Sequence, residues 1–206
     1  IVVINRYAFS NTSIKEANIG YDVIRIGESA FSNTQITSLN IPENVAFIGN
    51  SFLWSSSVAS IVVDKNNAIY DSRDNCNAIV ETTTNTLIAG CKNTIIPNSV
   101  TSIGEAAFAL CDSLFSIDIP SSIVTIGEHA FANCDSLRSV YLTEGLQSIL
   151  GGAFIECDAL SSINIPNSVT TIGDGTFSSC VSLTSITIGD GVSSIGYSMF
   201  SGCTSL

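Results

Sequence analysis

The sequence predicts an α/β-type solenoid dominated by β structure, a stack of 22–23-residue coils with parallel strands and one β-hairpin insertion. Three observations carry this expectation: a phenylalanine column on a fixed period, an apolar strand pattern locked to that column, and one interruption that reads as a hairpin. A period of about 20 to 30 residues marks units that bury their apolar faces only by stacking on one another.

Phe108, Phe131, Phe154, Phe177 and Phe200 are 23 residues apart, and each is followed three positions later by a cysteine: Cys111, Cys134, Cys157, Cys180 and Cys203. Phe9, Phe31 and Phe52 continue the series upstream at spacings of 22 and 21. After the cysteine comes an L-x-x-L-x-L run, as in Leu114/Ile117/Ile119, Leu137/Val140/Leu142, Leu160/Ile163/Ile165 and Leu183/Ile186/Ile188. Its last three positions alternate apolar, polar, apolar, which is the pattern of a short strand buried on one face. All four prolines, Pro42, Pro97, Pro120 and Pro166, follow this strand directly. Proline there ends the strand without removing an interior ladder donor. An apolar pair and an Ile-Gly step then mark a second short strand, as at Val100/Ile103/Gly104 and Val169/Ile172/Gly173. Roughly nine coils are expected, about 4.8 Å apart.

Together these residues give the pattern xIPxSVTxIGxxAFxxCxSLxxI, which resembles the BspA-like leucine-rich-repeat family of bacterial-type cell-surface proteins over essentially the whole chain. The resemblance implies a leucine-rich-repeat stack and a role in adhesion or ligand capture. It names no ligand, and it brings no catalytic residue and no cofactor with it.

A single domain is expected over 1–206, with shortened repeats in 1–63, the insertion in 64–96 and regular repeats in 97–206. The chain begins inside a repeat at Ile1 and stops at Leu206, the first apolar position of another strand. Solenoids protect their terminal coils with atypical caps, so these ends read as those of a portion of a longer protein. Formal charge is −11: residues 1–92 hold eight acids and six bases, whereas 93–206 hold ten acids and one base, Arg138. A surface of that sign repels nucleic acid and anionic lipid. No apolar run reaches about 18 residues, so no membrane insertion is expected within this chain.

From Phe52 to Phe108 the interval is 56 residues, one 23-residue period plus 33. Within it, AIVE-TTTN-TLIA reads as a hairpin whose loop is Thr82 to Asn85. Cross-strand partners then sum to 167, which pairs Ile79 with Ile88 and Cys76 with Cys91. A disulfide between these cysteines needs Cα atoms within ~4.4 to 6.8 Å, and free thiols are the alternative. Further on, Leu150 stands where neighbouring repeats have glycine, so the coil there is expected either to be strained or to shift.

No constellation points to chemistry. The five-cysteine ladder sits at apolar positions and reads as buried thiols; it lacks the paired spacing of zinc sites. His129, the only histidine, occupies a slot that varies between repeats and is expected to be exposed. Asp64, Asp71 and Asp74 lack the spacing of a calcium loop. The sequence therefore assigns no catalytic, cofactor-binding or metal residue. It offers instead the outward column of the strands as a ligand-binding surface: Asn40, Val62, Asp118, Tyr141, Asn164 and Thr187, with Ile95 between Val62 and Asp118. Tyr141 is the one aromatic anchor in this column.

Three functions follow as expectations. The first is a non-enzymatic extracellular or cell-surface module that binds a host or matrix protein through the strand face and the insertion. A glycan-binding module, stacking sugar rings on Tyr70, Tyr141 and Trp54, is the second. The third is a structural spacer or self-associating solenoid. The oligomeric state is left open.

Overall fold

The computed structural model describes residues 2–206. Sixteen short strands line the coil. In the N-terminal half they are β1 (Val2–Ile4), β2 (Val23–Ile26), β3 (Ser38–Ile41), β4 (Phe47–Ile48), β5 (Ser60–Val63), β6 (Tyr70–Asp71), β7 (Ile79–Glu81) and β8 (Thr86–Ala89). They continue as β9 (Ser102–Ile103), β10 (Ser116–Ile119), β11 (Thr125–Ile126), β12 (Ser139–Leu142), β13 (Ser148–Ile149), β14 (Ser162–Ile165), β15 (Thr171–Ile172) and β16 (Ser185–Ile188). The helical share is one 3-10 turn, Arg73–Asn75.

The four-residue strands are the L-x-L segments read from the sequence. In β10 the outward Ser116 and Asp118 are exposed and the inward Ile117 and Ile119 are buried, and β3 and β14 repeat that alternation. They pair in parallel as β3–β5, β10–β12 and β14–β16, in unshifted register. The two-residue strands at the Ile-Gly step, β9, β11, β13 and β15, form the second ladder, and the hairpin strands β8 and β7 and then β6 extend it into a seven-stranded sheet in the order β15-β13-β11-β9-β8-β7-β6. The step glycines have no left-handed backbone; a Cβ on Gly127 would lie 2.7 Å from the Gly104 carbonyl carbon, and one on Gly173 2.3 Å from the Gly151 amide. The position therefore demands close packing. Leu150 likewise stays out of the left-handed region, and its amide keeps the coil-to-coil hydrogen bond to Ile126 O at 2.9 Å.

Opposite the strands, each coil turns through an arc centred on the phenylalanine. Two residues in the left-handed region bracket that centre, His129 (φ 53) and Asn133 (φ 56) around Phe131, for example. This geometry turns alternate amides toward the next coil: His129, Phe131 and Asn133 donate to Gly151 O, Ala153 O and Ile155 O at 3.1, 2.8 and 2.8 Å. Rings of Phe108, Phe131 and Phe154 stack at 4.9 and 5.1 Å. Buried Cys134, Cys157 and Cys180 donate their thiols to the carbonyls of Phe108, Phe131 and Phe154 at 3.1 Å, so the cysteine column caps peptide groups of the preceding coil.

Two expectations are corrected here. Phe52 does not hold the phenylalanine slot. Left-handed Ser51 and Ser55 centre that arc on Leu53, and Phe31 N donates to Phe52 O as Phe9 N does to Ala30 O, both at 2.8 Å. The spacing of 21 is thus a one-residue offset that puts Phe52 in the alanine slot. The coil count is about eight, because the coil holding the insertion has no arc of its own.

The hairpin forms with the Thr82–Asn85 loop. A bulge between Ile79 and Val80 then moves the register by one, so Ile79 pairs with Ala89 and not with Ile88. Beyond a bulge every side chain changes partner. Cys91 accordingly lies against Asn77, donating its thiol to Asn77 O at 3.3 Å, while the Cys76 thiol points to Ala78 O at 3.7 Å. The two cysteines are free and buried, and they pack into different hydrophobic clusters, Cys76 with the C-terminal coils and Cys91 with the N-terminal ones.

Candidate functional site: the strand face

The outward strand positions form the candidate surface. Its six sequence-derived residues are all exposed and stand as three cross-strand pairs: Asn40 with Val62, Asp118 with Tyr141, and Asn164 with Thr187. The pleat dictates this, since alternate residues of a strand face opposite sides of the sheet. The column is interrupted between β5 and β10, where Ile95 stands one 23-residue repeat before Asp118. Asn93 Nδ2 donates to Ala59 O at 3.0 Å and ties this segment to the entrance of β5.

Apolar exposure on this face is concentrated around the insertion. Val62, Ile95, Phe115 and Tyr141 are 51, 76, 59 and 61% exposed, whereas the corresponding positions in other coils are mostly polar or charged, as at Asn40, Asp118, Asn164 and Thr187 in one column and Lys92, Arg138, Ser161 and Thr184 in the other. Phe115 was not among the residues singled out from sequence. A signal for it existed: Phe47 and Phe115 are the two phenylalanines off the 21–23-residue spacing, and both are exposed. Phe47 is covered by Arg25, whose guanidinium carbon is 3.7 Å from the ring centroid. Phe115 has no such cover among the described residues; its carbonyl accepts from Arg138 N at 2.9 Å, which places the lone base of the acidic half on the adjacent coil. Arg138 makes no salt bridge among the described residues. Aromatic, aliphatic and arginine side chains together are the composition enriched at interface centres.

The other aromatic, acidic and histidine side chains weighed from the sequence have local surroundings of their own. Tyr70 is buried, and its hydroxyl accepts from Ile48 N at 3.1 Å; burial raises its pKa. It cannot stack on a sugar, and of the three aromatics named for glycan capture only Tyr141 and Trp54 are exposed, Tyr141 on the strand face and Trp54 on the arc face. Asp71 is held by Arg73 at 2.8 Å, and Asp64 Oδ1 accepts from Asn66 N at 2.9 Å. His129 is exposed and borders a shallow dent of about 460 Å³ with Glu128 and Asp174, but Asp174 Oδ1 is taken by Tyr197 N at 2.7 Å. Among the described residues, no three His, Cys, Asp or Glu side chains converge as a metal site, and no helix is long and apolar enough to cross a membrane.

A two-ladder stack with an exposed strand face defines a leucine-rich-repeat module. The chain belongs to the family described as the BspA type leucine rich repeat region, which matches residues 2–88 and 87–206 in six copies. A leucine-rich cell-surface protein of Faecalibacterium prausnitzii is 30% identical, with a TM-score of 0.84, over 100% of this chain and 56% of that one. The pneumococcal vaccine antigen PcpA has the same fold at 21% identity and a TM-score of 0.83, over 99% of this chain and 58% of that one. A leucine-rich-repeat protein of T. pallidum is 31% identical, with a TM-score of 0.57, over 66% of this chain and 65% of that one. The chain thus spans a little over half the length of the first two. No curated protein sequence matches it significantly.

Proposed function

We propose that this chain is a non-enzymatic, cell-surface or extracellular module that binds a host or matrix protein through its strand face, at the patch beside the insertion. The observation that carries the reading is the exposed set Val62, Ile95, Phe115 and Tyr141, with Arg138 beside it, on a face that is otherwise mostly polar or charged. An interface draws most of its energy from a few such side chains at its centre. Likeness to a protein described as a cell-surface protein supports the location. The acidic surface disfavours nucleic acid and anionic lipid as partners.

The test is a binding screen against immobilised extracellular-matrix proteins and a glycan array. Three chains are compared: the intact one, the Phe115→Ala/Tyr141→Ala double variant, and a deletion of Lys65 to Asn93. Protein binding that the double variant loses supports the reading and places the site. Glycan binding that survives the double variant moves the site off this face. Silence in both screens favours a spacer.

A further inference from the structure

The arc face carries a second feature, independent of the strand face. Every arc but one donates its amides to the next: Ser29, Phe31 and Asn33 pair with Asn50 O, Phe52 O and Trp54 O at 3.2, 2.8 and 2.6 Å. The next arc in sequence would follow Ala89, but the chain passes there through Gly90 alone. Gly90 N donates to Ala107 O at 2.8 Å, so it stands in for the central residue of the missing arc. On one wall the amides of Ser51, Leu53 and Ser55 are left without a partner among the described residues; on the other the carbonyls of Glu105 and Ala109 are. These are the groups that a continuous ladder would use, in register.

Three adjoining cavities trace the path of the absent arc. A 270 Å³ cavity at Asn50 and Glu105 shares Ile88 with a tight central one of 20 Å³, which shares Ser56 and Leu110 with a polar one of 380 Å³ at Ser55–Ser57 and Asp112. The charged residues lining the cleft are Glu81, Glu105 and Asp112, and no base lines it. Asn50 Nδ2 spans the walls to Glu105 Oε2 at 3.0 Å and latches one end.

We propose that this cleft takes a basic, extended peptide segment of a partner protein, which pairs with the orphaned peptide groups and sets its lysines or arginines against Glu105 and Asp112. An open row of backbone donors and acceptors is a template for strand addition, and the acidic lining supplies the charge preference. The partner enters at the wide Ser55–Asp112 end, where hydroxyls can follow its backbone, pushes the walls apart at the 20 Å³ centre held by the Gly90–Ala107 hydrogen bond, and displaces the Asn50 latch at the far end.

The test uses the whole chain, labelled with nitrogen-15, and the acetylated, amidated peptide KSAFSNTK, an arc sequence flanked by lysines. Expected are chemical-shift changes and slowed hydrogen exchange at the Ser51, Leu53 and Ser55 amides. Binding should weaken roughly three- to tenfold in the isosteric Glu105→Gln/Asp112→Asn variant or at high salt, and Tyr141→Ala should leave it unchanged. A glutamate-flanked peptide, ESAFSNTE, needs no variant and should bind more weakly. Equal binding of the two peptides, or shifts confined to other residues, overturns the proposal. So does a glycan that perturbs these amides when the peptide does not.

Discussion

Gly90 and Phe108 share one space: a Cβ on Gly90 would lie 2.1 Å from Cε1 of the Phe108 ring. That contact lets the insertion rejoin the regular stack. Phe108 starts the long run of stacked rings, and the residue before it in the column must have no side chain because its own arc is gone. Gly90→Ala should therefore force the ring off its partner Phe131 and cost about 1–3 kcal/mol. Guanidinium unfolding at equilibrium would show the loss as a lower midpoint; an unchanged midpoint would mean that the ring has room to move.

Phe154 lies in the middle of that run, fully buried between Phe131 and Phe177 at 5.1 and 5.6 Å. Phe154→Ala removes both stacks and leaves a cavity, for an expected loss of about 3–5 kcal/mol. Phe115→Ala should cost well under half of that, because its ring already meets water. Thermal melts of the two variants side by side check this: equal losses would refute a buried Phe154 and an exposed Phe115.

The carboxyls beside the cysteine column predict a pH effect of unusual sign. Burial, with the neighbouring Asp135, raises the Asp112 pKa above the usual carboxylate range. A folded-state pKa above the unfolded one means that the ionised form is disfavoured by folding, so the penalty is present at neutral pH and vanishes once the pH falls below the unfolded value. Asp112→Asn should raise the melting temperature at pH 7 and give no gain at pH 3. A gain that persists at pH 3 would point to packing and not to charge.

Thiol reactivity offers an independent check of the column. Burial pushes Cys111 and Cys180 up to about 12, and neighbouring cysteines add to the effect. Since the thiolate is the reactive form, the native chain at pH 8 should react slowly with a disulfide reagent and release all seven equivalents only after unfolding without reductant. Five equivalents would reveal a Cys76–Cys91 bridge, and rapid reaction of the native chain would refute the buried column.

The repeat architecture was legible in the sequence because it depends on local alternation and a fixed period. Leu39 in and Asn40 out, proline after the strand and glycine at the step are each fixed by the geometry of one coil, and repetition confirms them. By the same logic the outward column, Asn40 to Thr187, could be written down before any coordinates. The features hidden from the sequence arise where the period fails. A bulge of one residue moved Cys91 from Cys76 to Asn77, an offset of one residue gave the phenylalanine slot to Leu53, and Tyr70 went inside to cap Ile48. The first two turn on a shift of a single residue, which leaves the apolar pattern of the sequence almost unchanged while it exchanges the partner of every side chain beyond it. The cleft is the plainest case. An absent arc leaves no residue in the sequence to read, and its unpaired peptide groups become visible only when the coils on either side are seen to face each other.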